Sequence, residues 1–145
     1  MANKSSQVGK NFEADFANSC PDDMVLVRLK DGKGYGKNPC DFILLTKDKG
    51  YMLELKTTKE KRLPKSNIRE HQLEILSTVE RMEIPAYFVI NFRTYDETYV
   101  IGANEIKQVF DSGKKSIPLD WFRENHTPLK QHKKRTRWRY DYNFI

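Results

Sequence analysis

Between Pro39 and Lys56 the chain reads PCDFILLTKDKGYMLELK, two apolar runs of strand composition joined by the polar turn KDKG. This is a β-hairpin pattern. Core strands rarely tolerate charge, yet this one carries Asp41 at its mouth and Glu54 and Lys56 at its exit. Such charges either face water or serve chemistry. Side chains alternate along a strand, so Glu54 and Lys56 share a face with Met52, while Tyr51, Leu53 and Leu55 take the other. A two-residue loop at Asp48–Lys49 and a four-residue loop at Lys47–Gly50 give the same register. That register sets Ile43 opposite Glu54 and Asp41 opposite Lys56, with Asp41 on the shared face. A one-residue slip would move it to the other side.

Two carboxylates and a lysine converging at a sheet edge suit a hard divalent cation. Mg²⁺ takes one or two carboxylates and completes its shell with water and phosphate oxygens. A lysine beside it can orient or deprotonate a water, or neutralise charge on a phosphorane. The pattern therefore serves metal-assisted phosphodiester hydrolysis. The same residues could instead form a cross-strand salt bridge on a solvated face, worth under about 1 kcal/mol.

The rest of the chain supplies one domain, 1–145, of 145 residues. Val8, Phe12 and Phe16 repeat at helical spacing behind serines able to cap, which predicts a helix from about Ser6 to Asn18. MVLVRL, Met24–Leu29, is strand-like, and KDGKGYGKN is a glycine-rich connection. TKEKRLPKSN is a charged loop, with Pro64 breaking any helix and Ser66 or Asn67 ready to cap the next. That helix runs from about Ile68 to Met82, with Gln72, Leu76, Val79 and Met82 close to one face and Leu73 beside them. AYFVINF and ETYVIGA form neighbouring antiparallel strands. NEIKQVFDSG is a short helix with Asn104 as N-cap and Gly113 as its stop. KKRTRWRYDYNFI alternates basic and aromatic residues, as a final strand or an extended arm. The order predicts an α/β domain with a mixed sheet flanked by helices.

The formal charge of +6 is concentrated in two patches. Lys56–Lys65 carries a net +4 and Pro128–Ile145 a net +5, leaving the remainder at −3. Paired basic patches on an acidic body suggest a polyanion partner, although a solvated surface and a frayed tail would look alike. Cys20 and Cys40 make neither a disulfide framework nor a zinc site, and the three histidines show no ligand spacing. No apolar run reaches the roughly 18 residues of a membrane span, and MANKSSQVGK has no signal-peptide core. A soluble, intracellular protein with reduced thiols is expected.

The helix before the hairpin carries Glu13 beside Phe12, and the buried-side face of the helix after the basic loop begins with Gln72. With these residues in place the chain resembles the PD-(D/E)xK nuclease superfamily, and within it the RecU-type Holliday junction resolvases. The resemblance rests on GKNFEADF, on Asp41 followed thirteen residues later by Glu54-Leu55-Lys56, and on LPKSNIREHQLEIL. It continues through YFVINF, KKSIPLDWF and RYDYNFI. It implies a restriction-endonuclease-like fold, with Asp41 and Glu54 binding Mg²⁺ (Mn²⁺ as a substitute) and Gln72 contributing to the metal shell. Lys56 would stabilise the transition state or position the attacking water, and Glu13 would match an N-terminal-helix glutamate of related enzymes. It further implies a homodimer acting on four-way DNA junctions in the cytoplasm of a bacterial or phage-infected cell. The chain departs from the family at Pro39, where a threonine often stands, and at KDGKGYGKNP, which replaces a longer stalk. On this reading the family's long N-terminal extension is not expected, which would suit a compact, phage-type version.

Lys59, Lys61, Arg62 and Lys65 follow the metal strand and are placed to touch phosphates, which position DNA without reading its sequence. Lys133, Lys134, Arg135, Arg137 and Arg139 around Trp138 could add a second phosphate track, with Trp138 stacking on an exposed base. Trp138, Tyr140 and Tyr142, at period two, could equally pack inward or make a dimer contact. Beside the junction-cleaving endonuclease stand a restriction- or repair-type nuclease on the same fold and a catalytically silent DNA-binding module.

Overall fold

The computed structural model describes residues 4–30 and 38–145. The glycine-rich connection read as a shortened stalk lies, from 31 to 37, outside the described residues.

Five strands build the central sheet: β1 (Val25–Arg28), β2 (Phe42–Leu45), β3 (Gly50–Thr58), β5 (Ala86–Phe92) and β6 (Glu97–Gly102). Their order is β1-β2-β3-β5-β6, antiparallel throughout except for the central β3–β5 pair, which is parallel. A parallel pair needs a crossover, and α2 (Glu70–Arg81) provides it. The expected mixed sheet flanked by helices is what the chain forms.

Alternation along β3 splits the core in two. Leu53 and Leu55 join Phe12 and Phe16 of α1 (Lys4–Asn18) together with Phe42, Leu44 and Val89. The opposite face packs Phe88, Ile90 and Phe92 against Leu73 and Leu76 of α2 and Ile106 and Phe110 of α3 (Ala103–Asp111). Phe122 of α4 (Leu119–Asn125) closes that layer at 5.0 Å from the ring of Phe92.

Several local expectations change. Ser66 and Asn67 do not cap α2: they lie in a 3-10 turn, Lys65–Asn67, and Arg69 precedes the helix without a side-chain cap. Met82 falls beyond α2 and is exposed, because the buried face runs through Gln72, Leu73, Leu76 and Ser77. The N-terminus of α3 is satisfied from outside: Glu80 Oε1 accepts from the Asn104 backbone N–H at 2.7 Å, while the Asn104 side chain meets Ser77. A Cβ at Gly102 would stand 2.5 Å from Glu80 Oε2, so a side chain there would make the Glu80 carboxylate shift. The charged loop also contains β4 (Arg62–Pro64), which pairs with β7 (Ser116–Pro118) through the fully buried Leu63 and Ile117.

The basic-aromatic end is a hairpin of β8 (Gln131–Lys134) and β9 (Arg137–Tyr140) docked on α1. Tyr140 and Tyr142 are buried, and the Tyr142 hydroxyl donates to the Phe16 carbonyl at 2.6 Å. Buried Asp15 accepts from Arg137 Nε at 2.7 Å and from the Trp138 backbone N–H at 3.3 Å. Asp15→Ala is expected to cost about 1–3 kcal/mol and to raise the rate of limited proteolysis within 131–140. An unchanged melting temperature and cleavage rate would show that Asp15 does not hold the hairpin.

Candidate functional site

The β2–β3 hairpin closes two residues earlier than its composition suggests: Ile43 lies opposite Met52, and Leu45 opposite Gly50. Thr46 is the reason. Its hydroxyl accepts from the backbone N–H groups of Asp48 and Lys49 and donates to the Lys49 carbonyl, which locks the turn over Thr46–Lys49. Asp41 therefore stands across from Glu54, not Lys56, with its backbone N–H donating to the Leu53 carbonyl. A shift of two keeps the facing, so Asp41, Glu54 and Lys56 still converge.

Asp41 Oδ2 accepts from the Leu55 backbone N–H at 2.8 Å, which fixes the carboxylate at the edge of β3. Glu54 is 3% exposed, and its Oε2 meets Lys56 Nζ at 2.9 Å. Burial pushes the Glu54 carboxyl well above the ordinary carboxylate range; Lys56 opposes the shift and Asp41 adds to it. Gln72 reaches the same place from the first turn of α2. Glu13 enters from α1 and pairs with Arg28 of β1 at 2.6 Å. Burial raises the Glu13 carboxyl, Asp41 raises it further, and Arg28 pulls it down.

All five side chains line one cavity of about 470 Å³, shared with Arg28, Lys30, Asn38, Cys40 and Arg69. Spacing did not single out these others. Arg28 was visible only as the charge near the end of an apolar strand, and Arg69 only as a charged residue at the start of the following helix. Burial and the neighbouring Glu54 carboxylate push the Cys40 thiol up to about 12, so it is a neutral wall of the cavity.

Two oxygens in the cavity wall, Glu54 Oε1 and Gln72 Oε1, are buried without a hydrogen-bond partner among the described residues. Unpartnered buried acceptors are costly and call for a donor, a water or a cation. Among the described residues no three His, Cys, Asp or Glu side chains converge as a metal cage. The donor set is two carboxylates and an amide, which fits a hard cation that keeps much of its water.

The basic residues separate by environment. Lys59 and Lys61 are exposed beyond Lys56, and Lys59 lines a second cavity with it. Arg62 pairs with Glu60 at 3.6 Å, and Lys65 lies in a different cavity beside Lys115. At the terminal hairpin Lys133, Lys134 and Arg135 are exposed, with Lys133 Nζ 5.4 Å from the Trp138 ring centre. Arg137 is engaged by Asp15, and Arg139 donates to the Trp138 carbonyl at 2.8 Å. Among the described residues no helix is long and apolar enough to cross a membrane.

A Holliday junction resolvase RecU of Streptococcus agalactiae is 35% identical over 82 residues, 53% of this chain and 41% of that protein. The Holliday junction resolvase RecU of Oceanobacillus iheyensis is 35% identical over 88 residues, 57% of this chain and 45% of that protein. The chain thus spans less than half the length of these curated relatives. Among solved structures, Hjc of Archaeoglobus fulgidus, a Holliday junction resolvase, aligns at 16% identity with a TM-score of 0.43. That alignment covers 70% of this chain and 74% of Hjc. The family model described as Recombination protein U matches residues 28–140, a span that contains Asp41, Glu54, Lys56 and Gln72, and the chain belongs to that family.

Proposed function

We propose that the protein is a Mg²⁺-dependent endonuclease that cleaves four-way DNA junctions by phosphodiester hydrolysis. The observation that carries this reading is the pair of unpartnered buried oxygens, Glu54 Oε1 and Gln72 Oε1, beside Asp41 and Lys56 in one cavity. Membership of the Recombination protein U family and relatives named as Holliday junction resolvases support the substrate.

Asp41, Glu54 and Gln72 would hold the cation, with Mn²⁺ able to replace Mg²⁺. When bound, it supplies Lewis-acid stabilisation of charge on the phosphoryl oxygens. Lys56, fixed by Glu54, donates a hydrogen bond to the attacking water or to a phosphoryl oxygen as negative charge develops there. Asp41, braced by the Leu55 N–H, is an acceptor that needs no rearrangement. Glu13 and Arg28 form a charged rim through which the DNA backbone enters. A four-way junction offers two equivalent strands, so paired nicking calls for two copies of the site in a symmetric dimer.

Three outcomes test the reading. Purified protein should nick a labelled four-way junction symmetrically in Mg²⁺ or Mn²⁺ and not in EDTA; equal cutting of linear duplex would remove the junction from the proposal. Glu54→Gln and Lys56→Ala should each lower single-turnover cleavage at least about 100-fold while retaining junction binding in Ca²⁺. If either cuts at the wild-type rate, the site is misassigned. Asp41→Asn should keep its melting temperature, because an amide oxygen still accepts from Leu55 N–H, and yet lose cleavage and the thermal stabilisation conferred by Mg²⁺ or Mn²⁺. A variant that unfolds would make Asp41 a structural residue instead.

A further inference from the structure

Beyond Lys56 the sheet ends in a second cavity, of about 350 Å³, lined by Lys56, Thr57, Thr58, Lys59, Glu60, Asn67 and Arg93. Arg93 stands 37 residues from Lys56 in sequence and follows β5 as an ordinary strand end. The parallel register brings it close. Thr58 pairs with Phe92, and the Arg93 backbone N–H donates to the Thr58 carbonyl at 3.0 Å.

The Arg93 side chain is half-buried, and among the described residues it forms no ion pair with a carboxylate. Its one side-chain bond among the described residues runs from Nη1 to Thr57 Oγ1 at 3.4 Å. That hydroxyl is already committed, donating to Asn91 Oδ1 at 3.1 Å. Asn91 in turn donates to Thr98 Oγ1, and Thr98 to Gln131 Oε1. The chain of neutral groups aims the guanidinium without neutralising it. The nearby carboxylate of Glu60 has its own cation in Arg62 at 3.6 Å. A guanidinium oriented and, among the described residues, paired with no carboxylate beside a catalytic lysine fits a phosphate, which arginine binds with two parallel donors.

We infer that Arg93, braced by Thr57, binds a DNA backbone phosphate next to the scissile one, so that the cleaved strand leaves the catalytic cavity past Lys56 and Lys59 along this groove. The inference rests on the proposed nuclease reading and adds a phosphate subsite and a direction for the strand. Arg93 also lines a neighbouring cleft with Asn11, Asn91 and Trp138, where the carboxylates of Asp15 and Asp96 bound the groove on its far side.

The test compares wild type, Arg93→Ala and Arg93→Lys on a four-way junction. Binding is measured in Ca²⁺ at several salt concentrations, and cleavage in Mg²⁺ under single turnover. Arg93→Ala should bind about tenfold more weakly or worse, with the slope of log affinity against log salt reduced by about one. Arg93→Lys should recover the slope but only part of the affinity. In junctions carrying one neutral methylphosphonate, the position adjacent to the scissile phosphate should weaken wild type and leave Arg93→Ala unaffected, as for groups in direct contact. Wild-type affinity and slope in Arg93→Ala, or equal losses from every methylphosphonate position in both proteins, would overturn the inference. Failure of wild type to cut any junction would instead overturn the nuclease reading.

Discussion

A carboxylate buried between β2 and β5 sets the terms for the rest of the site. Glu54 is 3% exposed in a nine-residue strand whose opposite face is wholly apolar around it, and burial is the largest of the causes that raise its carboxyl. An isolated charge in that position would be prohibitively costly, so its neighbours must answer it. Lys56 does so at 2.9 Å, while Asp41 across the ladder works against it. Two carboxyl groups facing one another, with Glu54 Oε1 and Gln72 Oε1 unpartnered among the described residues, leave too little positive charge and too few donors in the wall of one cavity. On the proposed reading a divalent cation corrects both.

The fold holds that strained group in place by covering the sheet unequally. On one face α1 and the terminal hairpin seal Leu53 and Leu55 under Phe12, Phe16, Tyr140 and Tyr142. On the other, α2 and α3 cover β5 and β6 and bring Gln72 to the end of β3. The parallel β3–β5 pair does two things at once. Its crossover delivers α2 to the site, and its far end places Arg93 one cavity away from Lys56. The terminal hairpin, whose basic residues read as a phosphate track and whose aromatics read as inward packing or a dimer contact, spends Arg137 on Asp15 and buries Tyr140, and leaves Lys133, Lys134 and Arg135 exposed at its tip.

Much of this was legible where the signal is local. Period-two alternation in β3 and the apolar run Ala86–Phe92 located the central strands, and the i, i+4 spacing of Phe12 and Phe16 found α1. Facing also came out correctly for Asp41, Glu54 and Lys56, because the register error was two residues and parity survived. The register itself did not, since the Thr46 hydroxyl decides where the turn closes. What escaped depends on distant partners. β4 and β7 are three residues each and exist only by pairing across more than fifty residues of chain. Asn104 was a reasonable cap, but Glu80 arrives from α2 and takes that place. Arg93 and Arg137 have opposite functional prospects, and only Asp15, 122 residues from Arg137, tells them apart.

The central claim is that Asp41, Glu54 and Gln72 form a cation site, and the most direct measurement is anomalous diffraction from crystals grown with Mn²⁺. The account expects a strong peak between the Asp41 and Glu54 carboxylates within reach of the Gln72 amide oxygen, and its loss in Glu54→Gln crystals. A cavity without anomalous density under saturating Mn²⁺, with Lys56 still closed on Glu54, would contradict it.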